Sequence, residues 1–196
     1  VFTGDFANDT ASAITVTGAG STLRSTATVI FRGGSTTRVV AGGSISAGDD
    51  VFISGGGVAT DGTVMVSGGG SSLAGDDLFV GQNGATGSLT FSSGGSGAFA
   101  IIGVDDSQLA GSTGTLLIES GAVVQGTGLK IANRSFANTG TVIITGANSA
   151  LTITGAGATT IGAESTSTGA LHIQTGAVFN TSKGTMTINP TGPLNL

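Results

Sequence analysis

Along most of this chain, apolar side chains recur at every second position in short bursts. Each burst is followed closely by glycine: Ile14/Val16 before Gly18, Val64/Val66 before Gly68, Leu89/Phe91 before Gly94, Leu116/Ile118 before Gly121, Val142/Ile144 before Gly146 and Leu171/Ile173 before Gly176. A period of two predicts a strand with one buried face. A glycine just beyond it predicts a tight corner with unusual dihedrals. A second short strand then carries Leu23, Leu73, Val123 or Leu151, and a third ends in LFVG, AIIG, LKIA or TTIG. No segment has a helical period with caps.

The bursts belong to one repeated phrase. It reads AITVTGAGSTL from residue 13, GTVMVSGGGSSL from 62, GSLTFSSGGSG from 87, GTLLIESGAVV from 114, GTVIITGANSAL from 140 and GALHIQTGAVF from 169. Successive starts from 62 to 169 are 25, 27, 26 and 29 residues apart. The longer gap between 13 and 62 holds a degenerate copy, TTRVVAGGSI, near 36, and a shortened copy, GTMTI, begins at 184. A unit this small cannot bury its own apolar face, but stacked units can. The expected architecture is therefore all-β, a right-handed parallel β-helix of about seven rungs. At ~4.8 Å between strands it forms a rod on the order of 30 Å long. The handedness follows from coil length, since left-handed hexapeptide solenoids use about 18 residues per coil and lack long loops. A β-propeller with two repeats per blade also fits the length. The chain divides into an entry or capping segment (1–12), the repeats (13–188) and a tail (189–196). In the entry segment, Phe2 and Phe6 are candidate capping residues. In the tail, Pro190 and Pro193 are, because proline cannot donate to a ladder.

These phrases resemble repeats in the passenger domains of bacterial autotransporters, the pertactin-like right-handed β-helices. The resemblance rests on GT-V-x-V-x-G-A-x-S-x-L, then L-x-V/I-G, then G-x-L-x-I-x-x-G-A-x-V, and runs from about Ala13 to Phe179. It implies export through an outer membrane, a location on the cell surface or outside the cell, and a role as adhesin, stalk, or biofilm or aggregation factor. The chain carries no barrel strands and no protease or esterase module of that family, so it matches a piece of a passenger.

Composition narrows the partners. The net charge is −5, and the six basic residues (Arg24, Arg32, Arg38, Lys130, Arg134, Lys183) are spread along the chain. A phosphate backbone or an anionic membrane calls for a clustered basic stripe, which argues against both. There is no cysteine, so thiolate metal sites and disulfides are out. No apolar run reaches the ~18 residues of a membrane helix, so the chain is not expected to be membrane-embedded. It starts at Val1, which suggests a processed product or an excised segment.

Two phrases hold candidate chemistry, AGDDVFISGGG from Ala47 and AGDDLFVGQNG from Ala74. Aligning the third strands puts Ile53 with Val80, Ile102, Ile131 and Ile161, and stacks Asp49 and Asp50 on Asp76 and Asp77. Four carboxylates in two rungs offer oxygen ligands to a hard cation such as Ca²⁺, although a solvated corner is the preferred reading. The next rung is read with Gly97 and Ala98 at those positions. A third pair, Asp105 and Asp106, follows its strand and lies on another edge.

The outward face of the first strand aligns Thr15, Met65, Thr90, Leu117, Ile143 and His172. Met65, Leu117, Ile143 and His172 form a candidate contact strip for host-cell, matrix or self contacts, with lateral or head-to-tail association as the self form. His172 is the only histidine, without triad partners in the sequence pattern. There is no G-x-S-x-G elbow, no phosphate loop and no calcium nonapeptide. No reaction is assigned, and an enzyme acting on polysaccharide ranks last. Ice binding would need aligned threonines, and the pairs Thr15/Thr17, Thr152/Thr154 and Thr185/Thr187 do not align.

Overall fold

A computed structural model describes residues 1–134, 136–156, 159–162, 166–182, 185–188 and 194–195. Three parallel sheets wind around one core, with no helix among the described residues. The first sheet has eight strands: Ala13–Thr17, Ser35–Val40, Gly62–Ser67, Thr86–Ser92, Thr113–Glu119, Thr139–Thr145, Thr168–Gln174 and Leu194–Asn195. The second has seven: Thr22–Arg24, Ser44–Ser46, Ser72–Ala74, Ser96–Ala98, Val123–Gly126, Ala150–Ile153 and Val178–Thr181. The third has eight: Phe6–Asn8, Val29–Phe31, Val51–Ile53, Leu78–Val80, Ile101–Val104, Gly128–Ile131, Thr159–Ile161 and Met186–Ile188. Each strand pairs in parallel with its counterpart one coil away, which makes the chain a parallel β-solenoid of about six turns rather than seven.

The apolar pairs become continuous internal columns. Val39, Val66, Phe91, Ile118 and Ile144 are fully buried on the first sheet, and Phe31, Ile53, Val80, Val104, Ile131 and Ile161 on the third. Burying each such side chain contributes about 1.5–3 kcal/mol relative to leaving it wet. A single rung would leave both its edges open, so this burial exists only in the stack. In the second sheet the inward column is Leu23, Ile45, Leu73, Gly97, Val124 and Leu151. Val124 rather than Val123 faces in, and Val123 is 38% exposed. Glycine replaces a large residue at Gly97 because Phe91 and Phe99 fill its place. A Cβ there would lie 2.7 Å from Phe91 Cζ and 3.0 Å from Phe99 Cε2.

Two glycine sets have different causes. After the first strand, Gly18, Gly68, Gly94, Gly121, Gly146 and Gly176 adopt φ between 75° and 95°, as the corner requires. The glycines that open the first strands (Gly62, Gly87, Gly114, Gly140, Gly169) stack in register and serve close approach instead. A Cβ on Gly114 would lie 2.2 Å from Val80 O. These glycines make room for a second corner, where the chain leaves the third sheet through Ser54, Gly81, Asp105, Ala132 and Gly162, all at positive φ. The N–H of each donates back one rung, to Phe31, Ile53, Val80, Val104 and Ile131 O respectively.

The entry segment joins the stack. Phe6–Asn8 pairs with Val29–Phe31, Phe2 bridges Ser25, and the Phe6 ring lies between those of Phe2 (5.0 Å) and Phe31 (6.4 Å). In the tail, Pro190 and Pro193 lie outside the described residues, as does the start of the last copy at residue 184.

Candidate functional site

The acidic corner forms because Val51 and Leu78 stack in register, which carries Asp49 onto Asp76 and Asp50 onto Asp77. Backbone bonds fix the stack, with Asp76 N donating to Asp49 O at 2.8 Å and Val51 N to Asp77 O at 2.8 Å. Carboxylate oxygens of Asp49, Asp50 and Asp76 lie within 4.8 Å of one another. Asp77 is turned toward the next rung, where its Oδ1 accepts the Ile101 N–H at 2.9 Å, and Asp50 Oδ1 accepts the Asp77 N–H at 3.2 Å. Partial burial raises the Asp50 carboxyl above its ordinary value, the Asp77 N–H opposes this, and the charges of Asp49, Asp77 and Asp76 add to the rise. Three such oxygens could hold a hard cation, while Asp77 serves the backbone.

One part of the sequence alignment is wrong and has consequences. Val80 stacks on Val104, and Ile102 on Leu78. The residues that follow Asp76 and Asp77 in the ladder are Ala100 and Ile101, whereas Gly97 and Ala98 belong to the second sheet. Matching the terminal glycine of AIIG to that of LFVG misplaces this rung by two residues. Gly103 is in fact a strand residue opposite Phe79, and the corner is Asp105.

The corrected register exposes a cleft of about 560 Å³ on the outer face of the third sheet, lined by Asp50, Phe52, Phe79, Gln82, Asn83, Asp106, Gln108, Leu109 and Arg134. Phe52 and Phe79 stack in register, with ring centroids 5.0 Å apart and planes 20° from parallel. Phe52 faces Ile30 on the preceding rung, and beyond Phe79 the column continues as Gly103 and Lys130. A Cβ on Gly103 would lie 3.0 Å from Phe79 Cδ1 and 3.2 Å from Asp106 Cβ, so glycine lets ring and carboxylate approach. Asp106 is nearly buried and is held by Arg134 Nε at 2.9 Å and Lys130 Nζ at 3.8 Å. The wall is braced from within: Asn83 N donates to Ser107 Oγ (2.9 Å), Gly84 N to Ser112 Oγ (2.8 Å), and Asn138 Nδ2 to Ser107 O (3.2 Å).

Next to this wall, Asp105 is fully buried, and among the described residues neither of its carboxylate oxygens has a hydrogen-bond partner. Burial pushes its carboxyl up to about 7. The Thr139 N–H, which itself bonds Ser112 O, pulls the other way, and the Asp106 charge adds to the rise.

The first-sheet strip is in register as expected, Met65–Thr90–Leu117–Ile143–His172, with Arg38 between Thr15 and Met65. Met65, Leu117, Ile143 and His172 are each half-buried. The Thr-x-Thr pairs of the sequence fall on different sheets, but other hydroxyls do align. One column is Thr36–Thr63–Ser88–Thr115–Thr141, and a second is Thr86–Thr113–Thr139–Thr168. Sequence reasoning also missed the cleft, whose signal was two phenylalanines at the same outward position of adjacent third strands. No family model, curated protein or solved structure matches this chain.

Proposed function

We propose that this chain is a structural and adhesive segment of a secreted or cell-surface bacterial protein, a stiff spacer that presents corners and one cleft to a partner. The supporting observation is the unbroken in-register stack of three sheets, because parallel strands paired on both sides resist bending and hold outward residues at fixed spacing. The repeat phrases resemble autotransporter passengers, which fits an extracellular setting and a partner on a host cell, in a matrix or in a second copy. No reaction is assigned. Displaying residues 1–196 on a non-adherent bacterium and counting cells retained on epithelial monolayers tests the adhesive role. Retention above the empty display vector supports it, and retention equal to the vector refutes it. A self-associating fibre is the second reading, favoured by the terminal strand Ala13–Thr17, which is paired on one side only. Sedimentation separates the two: a monomer over a wide concentration range removes the fibre.

A further inference from the structure

We infer that the cleft over Phe52 and Phe79 binds the pyranose ring of a glycan, which deepens the adhesive reading by naming its ligand class. Phe52 and Phe79 stack within the column Ile30–Phe52–Phe79–Gly103–Lys130, and both rings line the cleft. Gly103 has no side chain, so Phe79 settles close to it beside Asp106. The negative face of an aromatic ring attracts polarised C–H groups, and a pyranose presents them on its flat face. Around the two rings stand the groups a ring of hydroxyls needs. The amides of Gln82, Asn83 and Gln108 both donate and accept, Asp50 and Asp106 accept, and Arg134 donates. The volume lies within the range of small-ligand sites, and the braced Asn83–Ser107–Asn138 wall is set before any ligand arrives.

Other ligand classes fit less well. Strands Val51–Ile53 and Leu78–Val80 are paired on both sides, so an extended peptide has no free backbone edge to extend at the cleft. Asp50 and Asp106 oppose a phosphate. The polar and charged lining opposes a lipid tail.

Saturation-transfer NMR of the intact chain with methyl glucoside, galactoside, mannoside and N-acetylglucosaminide, followed by titration of the best binder, tests the inference. At least one pyranoside is expected to receive saturation through its C–H face. Phe79→Ala is expected to weaken it about tenfold or more, and Gln108→Ala, at an exposed position, more mildly. Gly103→Val places a side chain against Phe79 and Asp106, displaces the ring, and is expected to abolish binding. Circular dichroism and the thermal midpoint of each variant confirm that the fold is retained. Transfer to none of the four at millimolar concentration, or equal binding by wild type and folded Phe79→Ala, overturns the inference. Adhesion of displaying cells that persists after periodate treatment of the monolayer also overturns it, while leaving the adhesive reading intact. Loss of adhesion in every form defeats the adhesive reading itself.

Discussion

Asp105→Asn isolates the energetic cost of one buried carboxylate. Asp105 sits at a positive-φ corner between Gly81 and Ala132 of the adjacent rungs, fully buried, with its carboxyl raised from an ordinary 3.8 to about 7. A carboxyl whose folded value is raised costs nothing below its unfolded value. Its penalty accumulates as pH rises and is complete above the folded value. At 1.36 kcal/mol per pH unit, the window from about 4 to about 7 corresponds to a ceiling of about 4 kcal/mol, lost by the wild type and not by the amide. Asparagine has nearly the same shape and tolerates positive φ, so both proteins bury an equivalent polar group at low pH. Urea unfolding followed by circular dichroism at pH 4, 5, 6, 7 and 8 is the assay. The two midpoints are expected to coincide near pH 4, with the variant pulling ahead by roughly 1.4 kcal/mol per unit until pH 7. Parallel curves across the whole range would refute the reasoning, because Asp105 would then ionise as freely in the fold as outside it.

The remaining tests address packing and the acidic corner. Gly114→Ala places a methyl 2.2 Å from Val80 O, so destabilisation of about 2–3 kcal/mol is expected from overpacking, read as a lower urea midpoint. Gly97→Ala is expected to cost about 1–3 kcal/mol in the wild type but clearly less in a Phe91→Val background, where only Phe99 still presses on the methyl. A double-mutant cycle without coupling would show that the ring does not fill that place. Asp49→Asn is expected to stabilise the fold by under about 1 kcal/mol at pH 7 and low salt. That gain should vanish near 1 M salt, where the Debye length is about 3 Å, and a salt-independent gain would exclude repulsion with Asp50 and Asp76 as its cause.

The repeat, the inward columns and the positive-φ glycines were legible because each leaves a local mark, either a period of two or a glycine after it. The stacking of Asp49 and Asp50 on Asp76 and Asp77 was legible for the same reason, since both pairs precede their strands in identical phrases. The slip at Ile101–Val104 was not. Ala98 stacks on Ala74 and Ile102 on Leu78 with equal spacing, but a glycine placed for a ring on the neighbouring rung imitates a corner glycine. That slip concealed the cleft, because the setting of Phe79 depends on what stands opposite it one coil later. The buried state of Asp105 was equally hidden, since a DD pair reads as a solvated turn until its rung is placed.

The rungs look interchangeable in sequence, yet Phe79 and Gly103 act as lock and key between neighbouring rungs. A coil cut out and pasted elsewhere would bring a ring without its notch, or a notch without its ring. Duplication could lengthen such a rod only by copying matched neighbours together. The order of its coils is therefore as much a part of its specification as their consensus.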